Sequence, residues 1–221
     1  MVLISLCSHA QALSPEQEEQ LKLAETYNSQ VVQYYQQGLF KKALPFAEKV
    51  FHIRKEILGE KHPSTLISIN NLATISLRLG RLDEALPLFE KGYSLRKEAL
   101  GEKHPDTLSS LKNLASANIK QGNTNQAIQN LETFVTGVES LRSSDISAEN
   151  RRSLFKQWVH HYFMLSFLYT AQSRPQDAFR LAEMSKARTL LESMAAKIAA
   201  QQSGLTRTDQ KQLQGYETRI A

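Results

Sequence analysis

The chain has 221 residues, 41% apolar and 22% charged, with 27 Lys and Arg against 22 Asp and Glu. That balance excludes wholesale disorder, which needs low hydrophobicity and a large charge excess. Nine Gly and six Pro are too few for a sandwich or barrel of many short strands, and a single Cys excludes an internal disulfide framework or a cysteine-based zinc cluster.

The chain opens with a short apolar run from Val2 to Cys7, followed by Ala10-Gln11-Ala12. This small-x-small triplet makes residues 1–13 resemble the second half of a secretory signal peptide, without the basic segment that normally precedes one. Export to a periplasm or to the outside is expected, with a cytoplasmic location as the alternative. No other run approaches the ~18 apolar residues of a membrane-spanning helix.

An internal repeat follows. Residues 54–63 read RKEILGEKHP and residues 96–105 read RKEALGEKHP, an offset of 42. The same step relates Ala43-Leu44-Pro45 to Ala85-Leu86-Pro87, and Asn71-Leu72-Ala73 to Asn113-Leu114-Ala115. It also relates Gly38, Gly80 and Gly122. Each unit is predicted to be two helices. In the second unit, Leu66, Ile69, Leu72, Ala73, Ser76 and Leu79 recur at helical spacing. Gly80 then stops the helix. Asp83 and Glu84 open the next one, where acids suit the positive end of the dipole. Its stripe is Ala85, Leu88, Phe89, Gly92 and Leu95, and Arg96 and Lys97 suit its negative end. Gly101 stops it, and Pro105 starts another helix at a position that needs no N–H. Ala73 and Ala85 are expected at a close helix approach, with Phe89 filling the gap to the neighbouring unit.

Leu72-Ala73, Gly80, Ala85 and Phe89 resemble the consensus spacing of the tetratricopeptide repeat (TPR). The 42-residue period, with LGEKHP and NNLA, is similar to the kinesin-light-chain subclass. The resemblance implies an all-α, right-handed TPR superhelical solenoid of about four antiparallel helix pairs plus a C-terminal helix. The units are placed at about 15–58, 63–100, 105–142 and 149–200. In the fourth, degenerate unit, Trp158, Phe163, Leu165, Phe167 and Tyr169 belong to the first helix, and Ala178 and Ala182 to a second that begins at Pro175. Residues 201–221 are read as a linker and the start of a further helix.

Residues 182–195, AEMSKARTLLESMA, are similar to the helix that precedes the caspase-like CHAT protease domain in bacterial TPR–CHAT proteins. This implies a longer protein whose catalytic His and Cys would lie beyond residue 221. No catalytic residue is assigned within the chain. Its only thiol, Cys7, lies in the leader-like segment, and no G-x-S-x-G, P-loop, dinucleotide fingerprint or H-E-x-x-H is present. No metal or cofactor is expected. His160 and His161 are adjacent, about 100° apart on a helix, and cannot readily grip one ion. His62 and His104 share a repeat position before Pro and are read as N-cap-like. Lys and Arg are interspersed with Glu, without the basic aromatic face of a nucleic-acid binder.

A solenoid presents the first helix of each pair along an extended concave surface. With Ala73 as the frame, the inward positions of the second unit are Ile67, Asn70, Thr74 and Arg78, with Asn71 beside them. In the third they are Ser109, Lys112, Ser116 and Lys120, with Asn113 beside them. In the first they are Glu25, Asn28, Val32, Tyr35 and Gln36, and in the fourth His160, Phe163 and Phe167. Asn28 and Asn70, one period apart, form an expected ladder, since a carboxamide donates and accepts at once. Asn71 and Asn113 carry a second reading, as bonds between helices. The expected function is a non-catalytic scaffold whose groove residues Asn28, Tyr35, Asn70, Asn71, Thr74, Arg78, Lys112, Asn113, Ser116 and Lys120 hold a peptide or protein segment of acidic character. The alternative is a regulatory arm of a CHAT-type cysteine protease, docking on its own downstream domain. Self-association through a solenoid end is the third reading.

Overall fold

The computed structural model describes residues 12–142 and 148–184. Among these residues there are eight helical segments and no strand. They are α1 (Pro15–Gln36), α2 (Phe40–Leu58), α3 (Pro63–Arg78), α4 (Leu82–Leu100), α5 (Pro105–Gln121), α6 (Thr124–Arg142) and α7 (Ala148–Ala171). The last, α8, covers 175–184. Residues 1–11, most of the leader-like segment, lie outside the described residues, as do 185–221 with the CHAT-like stretch past 184. The chain forms two bodies, divided between Asn123 and Thr124.

In the first body, α1 to α5, the helix ends follow from the sequence. Ser14 closes a capping box with Gln17 ahead of Pro15. His62 and His104 cap α3 and α5, their Nδ1 atoms accepting from the backbone N–H of Ser64 and Asp106 at 3.2 Å. The turns after α1, α3 and α5 place Gly38, Gly80 and Gly122 at φ +72°, +77° and +84°, a left-handed conformation that residues with a Cβ adopt at a cost.

Packing follows the stripes. Ala43, Ala73, Ala85 and Ala115 are fully buried. Val31, Ala43, Leu44 and Ala47 join Leu72 and Ile75 of α3 in one cluster. Ala73, Ala85 and Phe89 join Leu114 and Ala117 of α5 in the next, so Phe89 reaches the following repeat as expected. Gly92 lets α4 approach α3, since a Cβ there would stand 3.4 Å from Ile69 Cγ2.

One residue departs from expectation. Arg96 does not reach past the end of α4 toward solvent; it is 8% exposed. Its Nη2 donates to the carbonyl of Leu66 and its Nη1 to Ser110 Oγ, both at 2.7 Å. One guanidinium thereby ties α3, α4 and α5. Burial lowers its pKa from the ordinary value, and Asp106 opposes the shift. Arg54, one period earlier, donates to Ser68 Oγ at 3.0 Å and to the carbonyl of Ser64 at 3.3 Å. Arg and Ser thus form the same tie in both seams. Thr65 adds a bond from its hydroxyl to the carbonyl of Arg54 at 3.1 Å. Its repeat mate Thr107 is fully buried, with no hydrogen-bond partner for its hydroxyl.

Along the turns, Glu60 accepts from Lys55 at 2.8 Å and from Lys91 of the next hairpin at 2.7 Å. These two bonds hold its carboxyl at about 2. That support is in place above the ordinary glutamate range and is lost as pH falls toward 2. It is exposed, so salt weakens it.

In the second body, α6 packs on α7 through Phe134, which meets Trp158 edge-on at 5.6 Å. Tyr169 donates to Glu132 at 2.8 Å, and Arg174 stacks over the Tyr169 ring, 4.3 Å from its centre, while bonding Asp177 at 2.8 Å. Trp158, Leu165 and Tyr169 are buried.

The buried hydroxyls make a paired test. Thr107→Val removes a group that costs desolvation and gains nothing, so thermal unfolding should show a midpoint unchanged or raised. Thr65→Val removes a bond across the α2–α3 seam and should cost about 1 kcal/mol in denaturant unfolding. Arg96→Ala, which removes two hydrogen bonds from a charged donor, should cost roughly 1–3 kcal/mol in the same measurement.

Candidate functional site

The first helices of the pairs in the first body, α1, α3 and α5, each turn one face away from the cores. On α3 that face is Ile67, Asn70, Thr74 and Arg78; on α5 it is Ser109, Lys112, Ser116 and Lys120. Spacing of three or four residues puts each set on one side of its helix. Ile67 is 53% exposed and Val32 of α1 44%, high values for branched apolar side chains. Asn28, Asn70, Asn71, Thr74, Lys112, Asn113 and Ser116 are half-buried, whereas Arg78 and Lys120 are exposed.

The two faces are joined at one point. Asn113 Nδ2 donates to Asn70 Oδ1 at 2.7 Å, a bond between α3 and α5. Asn28 and Asn70 stand one period apart, whereas this bond joins Asn70 to Asn113, one residue out of the repeat register. Whichever carboxamide is the donor, the pair keeps one free carbonyl oxygen and three N–H groups. The second reading of Asn113, as a bond between helices, matches this geometry. Asn71, its repeat mate, makes no side-chain hydrogen bond among the described residues.

The hydroxyls are occupied within their own helices. Thr74 donates to the carbonyl of Asn70 at 2.8 Å and Ser116 to that of Lys112 at 2.9 Å. Each still has acceptor lone pairs. Tyr35 is half-buried and packs on its own hairpin. It sits one turn before Gly38, where the chain reverses, and its ring meets Phe40 edge-on at 5.3 Å against the core of the first hairpin. It therefore serves hairpin closure. Ile119, 36% exposed and seven residues beyond Lys112, joins the α5 face. The i+7 spacing pointed to it, but the frame taken from Ala73 favoured its neighbour Lys120.

Lys55, Lys61, Lys91 and Lys97 each reach a carboxylate. Arg78, Lys112 and Lys120 reach none among the described residues. Burial lowers the pKa of Lys112 from the ordinary lysine value, and no acid offsets it. Its charge is thus a cost in the free protein.

His160, Phe163 and Phe167 lie on one exposed side of α7 in the second body, with Phe163 at 58% and Phe167 at 71% exposure. No group of three His, Cys, Asp or Glu capable of holding a metal occurs among the described residues. No helix among them is long and apolar enough to cross a membrane.

Antiparallel helical hairpins repeated at a fixed period, with the first helices leaving one face open, define a helical-repeat protein of the kind that binds other proteins. The tetratricopeptide repeat model matches residues 22–98 and again 65–136, and the chain belongs to that family. Among solved structures it is similar to a Podosopora anserina protein named for a kinesin light chain and for its nearly identical TPR-like repeats. That match has 24% identity, covers 93% of this chain and 94% of the other, and has a TM-score of 0.59. It is also similar to BtubC (BKLC) from P. vanneervenii, at 18% identity, over 83% of this chain and 68% of the other, with a TM-score of 0.67. At these identities the likeness is one of fold. No curated protein matches the sequence.

Lys112→Met should remove a desolvated charge and raise the calorimetric unfolding midpoint of the free protein at neutral pH by about 1–3 °C. A lysine whose folded value is lowered destabilises below that value. The gain should therefore shrink as pH rises above it.

Proposed function

We propose that the chain is a non-catalytic scaffold that holds an extended peptide or protein segment of acidic character against the open faces of α1, α3 and α5. The observation that carries this reading is the grouping of cations on two neighbouring open faces. Arg78 on α3 and Lys112 and Lys120 on α5 share those faces, and none reaches a carboxylate among the described residues. A partner carrying Asp or Glu supplies the missing charge. The Asn70–Asn113 pair supplies a carbonyl and N–H groups beside it, which suit the backbone of an extended chain whatever its side chains. Val32 and Ile67 add apolar contact.

The test uses a randomised peptide library bound to the full chain and to the triple variant Arg78→Glu, Lys112→Glu, Lys120→Glu. The wild type should enrich Asp and Glu, and selected peptides should bind the variant at least about tenfold more weakly, since several charge contacts of roughly 0.2–1 kcal/mol are reversed together. Selection without acidic enrichment, or equal binding by both proteins, would remove the proposal.

A further inference from the structure

We propose that His62 is an acid-sensitive latch on the seam between α2 and α3. Its Nδ1 accepts from the backbone N–H of Ser64 at 3.2 Å, while its backbone, at φ −65° and ψ 138°, holds the N-cap position. Only neutral imidazole has an acceptor nitrogen. A proton on Nδ1 sets one donor against another, at the positive end of the helix. The cap is therefore in place while the imidazole is neutral and is lost when acid protonates it.

The loss matters because of what the first turn of α3 holds. The carbonyl of Ser64 accepts from Arg54 at 3.3 Å, and the Thr65 hydroxyl donates to the carbonyl of Arg54 at 3.1 Å. Both ties cross from one hairpin to the next. When this turn frays, the seam behind Asn70 loosens.

His104 makes the same cap to the N–H of Asp106, also at 3.2 Å. The residue two positions on decides the difference. Asp106 Oδ2 lies 3.9 Å from His104 Nδ1, so a protonated His104 gains an ion pair. His62 has Ser64 at the equivalent place and gains none. The charged groups of the elements meeting at the His62 turn leave this asymmetry standing. Glu60 is held by Lys55 of α2 and Lys91 of α4, and Glu98 of α4 is held by Lys61. Arg54, also on α2, is a cation and bonds the first turn of α3 itself, and Glu56 on the same helix is exposed and has no ion pair with His62. At the His104 turn, Glu102 is taken by Lys97, while Arg96 and Lys103 are cations. The start of α3 is thus acid-labile and the start of α5 self-compensated.

The experiment compares thermal unfolding of the full chain at about pH 7.5 and about pH 5.5 for wild type, His62→Asn, His104→Asn and Ser64→Asp. Asparagine caps without titrating. Wild type and His104→Asn should each lose about 2–4 °C more on acidification than His62→Asn does. Ser64→Asp, which gives α3 the α5 pattern, should behave like His62→Asn. Amide exchange gives a second readout: the protection of the Ser64 N–H should fall roughly fivefold in wild type across the same interval. Equal pH sensitivity in wild type and His62→Asn, or constant protection at Ser64, overturns the proposal.

Discussion

The close approach of helix backbones through alanine governs everything else in the first body. Ala43, Ala73, Ala85 and Ala115 are fully buried, at positions the 42-residue period repeats. A larger side chain at any of them would push two helices apart, because protein interiors hold few voids to absorb it. Separation would leave Phe89 short of Leu114, and Gly92 would no longer sit against Ile69. The polar ties share that dependence. A guanidinium reaches Ser110 and the Leu66 carbonyl together only where three helices converge. No hairpin closes its apolar face alone, so the stack is the unit of stability.

This architecture separates charges that hold the fold from charges left over. Turn residues form a chain of ion pairs from one hairpin to the next. The guanidiniums of half-buried Arg54 and buried Arg96 answer to neutral oxygens in place of carboxylates, a hydrogen-bonded arrangement that suits a weakly hydrated, planar cation. Lys112 fits neither group. It is half-buried, unmatched and costly to the free protein, as a residue kept for contact with something else would be.

How much could be read beforehand depended on the kind of information each residue carries. The helix stops at Gly38, Gly80 and Gly122, the histidine caps and the alanine seams are local chemistry repeated three or two times, and all were legible. Arg96 was not, because a cation near a helix C-terminus has a sufficient local explanation. Its real partner lies on another helix, and only the recurrence of Arg54 with Ser68 and Arg96 with Ser110 at one spacing hinted at it. The asparagine bond escaped for a related reason. Periodicity identifies equivalent positions, but neighbouring helices touch between non-equivalent ones, so Asn113 meets Asn70 and not its mate Asn71. The contact of Tyr35 with Phe40 was not legible either, because it depends on the reversal at Gly38.

The arginine–serine tie has an evolutionary corollary. Each Arg finds its Ser fourteen positions on, so both junctions repeat one guanidinium–hydroxyl pair. Removing one whole period would bring Arg54 up to Ser110 and recreate the junction without a new residue. Loss or gain of any other length would strand a cation among apolar side chains. Arrays joined this way can change copy number by unequal crossover in whole periods while keeping the arginine–serine pair at each seam.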